Sequence, residues 1–375
     1  MIYCDNSRRS VAEKCLRKRW WLYEYQGRGI QRVKQGRETF PLLTGTGVHS
    51  VIESVLQGND IHTGICAGMA PYADFHADDE RTEFLVSEQR ALIEALGRAW
   101  HTICYQQFVD TYEVLAIERE ETVELAPGLM WMSRPDLLVR RKVDGALFIV
   151  NMKTTKRADE RWVGQWPIDQ QTLSEVVAVE ARIGEKLSGV IILGIIKGDQ
   201  LEYPKGSGQW YHNNPLIWAW HNESGKAHPL GCWSARYEFQ DSDGSLRRLG
   251  KGWVKREIWL HYDGGVAAWI EKLASADPAI LHECVVQLPP IMRSDRQVEA
   301  WKAAVMAGEL DIRAKREASG HEVWLDAAFP MSTSSGNCLW PTKCPCFALC
   351  HENADPDDES VWEPRRANHP QEELK

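Results

Sequence analysis

Three polar residues between positions 133 and 157 have types and spacing suited to phosphodiester hydrolysis. Asp136 opens an apolar run, Leu137-Leu138-Val139, and Asn151 and Lys153 close a second, Leu147 to Val150. Two residues apart in an extended strand, Asn151 and Lys153 share a face. Val143-Asp144-Gly145 gives a turn signal between the runs, so the stretch reads as a β-hairpin. Asp136 would hold one or two divalent cations, the residue at 151 would add an oxygen, and Lys153 would position water or stabilise charge on the phosphate. His49 lies upstream, four residues before Glu53 on the flank of a helical stripe. As a ligand its imidazole suits Mn better than Mg. Taken singly, each of these residues also has an ordinary surface or structural explanation.

A second constellation is made of thiols. Of ten cysteines, four crowd into Cys338-x5-Cys344-x-Cys346-x3-Cys350, and Gly336, Pro341 and Pro345 would bend the backbone around a metal. Crowding of this kind in an intracellular chain favours metal over disulfide. Thiolates suit zinc or an iron–sulfur cluster, and the C-x2-C pairs usual for zinc are absent.

The elements that must position these groups follow from hydrophobic periodicity. The chain has 375 residues, is 43% hydrophobic and has 17 Trp, enough for a substantial core. Residues 7–25 read as one helix, and Val48, Val51, Ile52, Val55 and Leu56 mark another. Residues 82–109 read as a third helix and 112–124 as a strand leading into the hairpin. After it come a polar loop with Trp162 and Trp166, a helix over 169–186 and a buried strand over 187–197. The expected core is mixed α/β. Residues 203–262 read as an irregular or β-rich insert and 265–325 as mostly helical.

The net charge is −9, and the last 25 residues alone carry eight acids and three bases. A local basic groove is compatible with that total. No apolar run reaches membrane-spanning length, and the N-terminus lacks an apolar signal region, so a cytoplasmic protein without a membrane partner is expected.

The ordered set resembles the PD-(D/E)XK nuclease superfamily in its RecB-like branch. Arg134-Pro135-Asp136 matches the PD motif, and Asn151-Met152-Lys153 falls where (D/E)XK should be. Gly45-Thr46-Gly47-Val48-His49 matches the G-x-x-x-H element, and Gln171 begins the downstream Q-x-x-x-Y element. The resemblance implies a restriction-endonuclease-like mixed sheet flanked by helices, with a helical N-terminal region and a C-terminal Cys cluster. It implies His49, Asp136 and Asn151 as Mg or Mn ligands, with Lys153 and Gln171 serving catalysis. Asn151 replaces the motif's acid and Glu175 its Tyr. Three explanations stay open: a natural site without chemistry, an introduced change that disables it, or an acid supplied by Glu175 or Glu160.

Iron–sulfur nucleases of this branch place one Cys before the core and three after it. By that resemblance Cys15, Cys338, Cys344 and Cys350 would hold a 4Fe–4S cluster, with Cys346 in reserve. The implied organisation is a helical region over 1–110, a nuclease core over 111–200, an insert over 201–262, a helical region with the cluster over 263–352, and a mobile acidic tail over 353–375. The implied activity is DNA cleavage, exonucleolytic by family, in recombination, repair or phage DNA processing. The rival reading is an inactive DNA-binding or complex-forming subunit. Expected partners are single-stranded DNA or duplex ends, with a helicase, recombinase or other DNA-processing protein. Arg134, Lys156 and Arg157 flank the hairpin as DNA contacts. Arg17, Lys18 and Arg19 beside Trp20 and Trp21 suit either a single strand or a solvated basic helix face.

Overall fold

The computed structural model describes residues 2–33, 40–73, 75, 80–155, 158–197, 209–211, 238–240, 246–248, 253–255, 284–319, 325–332, 334–339, 343–370 and 372. In chain order the elements around the hairpin are β1 (Ile2–Cys4), α1 (Asn6–Lys14), α2 (Leu16–Arg19), β2 (Ile30–Arg32), α3 (Phe40–Leu56), α4 (Ile61–Met69), α5 (Glu80–Trp100), α6 (Gln106–Thr111), β3 (Tyr112–Ile117), β4 (Glu121–Ala126), β5 (Leu129–Ser133), β6 (Leu137–Arg141), β7 (Leu147–Thr155), α7 (Glu160–Gln165), α8 (Gln170–Ile183) and β8 (Val190–Ile196). A long helix, α9 (Asp295–Ser319), follows later. The chain is mixed α/β, with mixed sheets flanked by helices.

The central sheet runs Val285–Gln287, β8, β7, β6, β3; only β7 and β8 pair in parallel. Strand β7 is buried for six consecutive residues, Leu147–Met152, which marks a strand covered on both faces. The alternation sorts those residues. Phe148, Val150 and Met152 join Val48, Ile52 and Ile93 of α3 and α5 on one side. Leu147 and Ile149 join Val176 and Val179 of α8 on the other. By that period Asn151 and Lys153 belong to the α8 side. Asp169 caps α8 by accepting from Thr172 N, and Gly184, left-handed at φ 72°, ends it.

The hairpin, the α8 region and the strand after it lie where periodicity expects them. The single strand expected over 112–124 is instead two. β3 stays in the central sheet, whereas β4 pairs with β5 in a second sheet, β1-β5-β4. The helix expected over 7–25 breaks at Cys15, which is extended at φ −163° and caps α2 by accepting from Lys18 N. Composition marks the acidic tail as mobile, but it packs: Trp362–Pro364 pairs antiparallel with β2, and His369 and Glu372 are buried. Most of the expected insert lies outside the described residues. Among the described residues, no helix is long and apolar enough to cross a membrane.

Candidate active site

The β6/β7 register pairs Leu137 with Val150, so one step further brings Asp136 level with Asn151. Met152 N donates to Asp136 Oδ2 at 2.5 Å, fixing the carboxylate at the sheet's end. Helix α3 approaches this end because Gly45 has no side chain. A Cβ there would lie 2.8 Å from Thr154 Oγ1, one residue past Lys153. Four residues on, His49 shares Gly45's helix face and brings Nδ1 to 3.9 Å from Asp136 Oδ1.

Glu118, which spacing alone misses, completes a donor cluster. Ligand atoms of His49, Glu118 and Asp136 all lie within 4.8 Å of one another. Glu118 follows β3 in a left-handed conformation, φ 45°, uncommon for a residue with a Cβ, and its N–H donates to Asp136 O at 2.9 Å. Burial, then Asp136 and Glu53, push its carboxyl up to about 8. Burial also raises Glu53, and it lowers His49 against the opposing pull of Asp136, which favours the neutral, ligand-competent imidazole. Crowded acids of this kind favour their protonated forms until a cation neutralises them. The donor set, carboxylate oxygens with one imidazole, fits Mg or Mn.

On the α8 side, Asn151 and Glu175 are almost wholly buried, at 0% and 1% exposure. Asn151 Nδ2 donates to Glu175 Oε2 at 2.5 Å, and Gln171 Nε2 donates to Glu175 Oε1 at 2.9 Å. Asn151 Oδ1 is buried with no hydrogen-bond partner among the described residues. Burial raises Glu175 to about 7, opposed first by Lys153 and then by the Asn151 hydrogen bond. Lys153 is near enough for its charge to act on both His49 and Glu175. Trp162 covers its flank: Gly194, the partner of Lys153 on β8, leaves room for the indole, which a Cβ would meet at 2.6 Å.

The other expected site residues divide. Glu160 is exposed in the first turn of α7. Arg134 pairs with two acids, with Nε 2.9 Å from Glu118 Oε2 and Nη1 3.5 Å from Glu120 Oε1, while its side chain stays half-exposed. Lys156 and Arg157 lie outside the described residues. Arg17 and Arg19 are buried: Arg17 pairs with Asp326, and Arg19 forms two 2.6 Å bonds to Glu309. They hold the N-terminal region to the C-terminal helices and are not presented to a strand.

The thiols converge from both ends of the chain. Asn337 Nδ2 donates to Lys14 O at 3.1 Å, setting Cys338 beside the Cys15 break. The charges of Cys15 and Cys344 act on both Cys338 and Cys350. Cys346 is fully buried with Trp21 and Trp362, and its hydrogen bond to Cys344 pulls that thiol down to about 6. His351, also missed by spacing, brings Nε2 to 3.9 Å from Cys338 Sγ. Its position one residue after Cys350 is the signal that would have found it. A scan of the chain against protein-family models finds no match, and a search of curated proteins likewise finds none.

Proposed function

We propose that this chain is a metal-dependent DNA nuclease on a restriction-endonuclease-like core. The observation that carries the reading is the His49–Glu118–Asp136 cluster at the end of a hairpin that also presents Lys153. His49, Asp136 and Glu118 would hold Mg or Mn. A cation there supplies charge neutralisation at the phosphoryl oxygens and a water acidic enough to attack. Lys153 steadies that water or the phosphate. Glu175, held against Asn151, supplies the acid that position 151 lacks, and Gln171 orients it. A 4Fe–4S cluster on Cys15, Cys338, Cys344 and Cys350 would staple the chain ends together, removing chain entropy from the unfolded state. Cys346 serves as a hydrogen-bond donor to Cys344.

One observation favours a second reading, a DNA-binding or complex-forming subunit without chemistry. The Asn151 amide occupies one oxygen of Glu175, and an amide oxygen is a weaker, neutral ligand for a hard cation. Cleavage assays on Asp136→Ala and Lys153→Ala separate the two. The nuclease reading expects both variants to stay folded and lose cleavage by at least ~100-fold; full activity in both removes the site.

A further inference from the structure

A cavity of about 680 Å³ lies away from the cation cluster and is basic in an acidic protein. Arg8, Arg28, Arg365 and Arg366 line it, with Glu372 the single acid among the described residues that do, while the chain as a whole carries −9. Glu372 is already engaged. It accepts from Arg8 Nη2 at 3.1 Å and pairs with Arg365. Those two arginines flank the Tyr23 ring, with their Cζ atoms 5.2 and 4.6 Å from its centroid, a rigid mounting for the cavity wall. Arg8 is 2% exposed, yet its Nε is buried with no partner among the described residues. Arg28 and Arg366 are exposed at the rim, where their guanidinium groups add charge that Glu372 does not neutralise.

This cavity is joined to the candidate active site by the two segments that wall it. Arg8 faces it, whereas Asp5, Asn6 and Ser7 line a second cavity of about 270 Å³ together with Arg134, Gln171 and Glu175. Likewise Arg365 and Arg366 face the first cavity and Asn368 and His369 the second. Neighbouring residues of the same two segments thus line both spaces, leading from Glu175 to the four arginines.

We propose that the arginine cavity is a phosphate-binding subsite that grips the backbone of a polynucleotide strand whose scissile bond lies at the cation cluster. The inference rests on the nucleic-acid reading above and adds where the strand runs. Guanidinium groups suit phosphate because their paired N–H donors match its oxygens, and backbone contacts fix register without reading sequence.

The test uses the full chain, a labelled single strand of about 20 nucleotides and buffer containing EDTA, so that binding is read without cleavage. The variant is Arg28→Gln/Arg366→Gln, both exposed and outside the cation cluster. The expected result is roughly tenfold weaker binding, with the slope of log K against log salt reduced by about 1.4, the release expected for two phosphate contacts on a single strand. Mn binding and melting temperature stay as in the parent chain. Unchanged affinity and slope overturn the proposal. So does displacement of the strand by inorganic phosphate or a nucleoside triphosphate at concentrations where chloride has no effect, because the ligand is then a free phosphate compound. Failure of the nuclease reading is distinguishable: no cation binding or cleavage, but strand binding that still depends on these arginines, removes that reading and the scissile bond with it, and leaves the phosphate-binding subsite standing.

Discussion

The side-chain amide of Asn151 donates to the Glu175 carboxylate at 2.5 Å, from β7 to α8 across the buried face of the sheet. Residue 151 is level with Asp136, and Glu175 lies immediately behind it. An acid therefore lies beside position 151, reached through space and not through the strand.

That relationship predicts the behaviour of Asn151→Asp. Without cation, the introduced carboxylate loses the hydrogen bond and faces Glu175 as a second buried acid, costing about 1–3 kcal/mol. The metal-free variant should melt below the parent chain, and Mn should raise its melting temperature by more than it raises the parent's. An equal or smaller Mn effect in the variant would mean that position 151 does not face the cation.

The crowded acids set a pH dependence. Glu118 and Glu175 are raised to about 8 and about 7, so between about 4.5 and those values the folded chain holds protons that the unfolded chain releases. Stability then falls as pH rises wherever the native state binds more protons. Metal-free protein should lose stability from pH 5 to pH 8. Because a cation competes with those protons, Mn should stabilise more at pH 8 than at pH 5.5. Glu118→Gln should flatten the metal-free profile and weaken Mn binding; chemical denaturation across this range, with and without Mn, checks both.

The thiol cluster has its own test. Anaerobically purified protein should be brown, with an absorbance shoulder near ~400 nm. Cys15→Ser and Cys344→Ser should lose it, and Cys346→Ser should keep it. Stoichiometric zinc in colourless protein would point to a site in which His351, close to Cys338, joins the thiols.

Arg19 separates the structural and DNA-contact readings of the early basic run. Removing it leaves Glu309 buried and unpaired, at about 3–5 kcal/mol, so Arg19→Ala should destabilise severely. Lys18→Ala, on the half-exposed face between two buried arginines, should fall within about 0.5 kcal/mol of the parent. Urea titrations of the two variants give the comparison.

The hairpin and the helix and strand after it were legible because their buried residues are local and periodic. His49, Asp136 and Lys153 were singled out by the motif resemblance and not by spacing alone, and the structure brings His49 to 3.9 Å from Asp136. Glu118 was not legible, because nothing in Glu118-Arg119-Glu120-Glu121 singles out which acid turns inward. That depends on the left-handed turn between β3 and β4, and reading 112–124 as one strand concealed the turn. The fate of Arg19 was equally hidden, since its partner lies 290 residues away. The acidic tail did carry a signal, Trp362, an indole that β2 and Cys346 bury, but average composition outweighed it.

The central claim is cation-dependent cleavage with the acid supplied by Glu175. The most direct test is digestion of end-labelled single- and double-stranded DNA with Mn, comparing the chain as it stands, Glu175→Gln and Asn151→Asp. The chain as it stands should cut, Glu175→Gln should fall by at least ~100-fold, and Asn151→Asp should retain cleavage. If neither the chain nor Asn151→Asp cuts with any cation, the claim is contradicted and the fold serves binding alone.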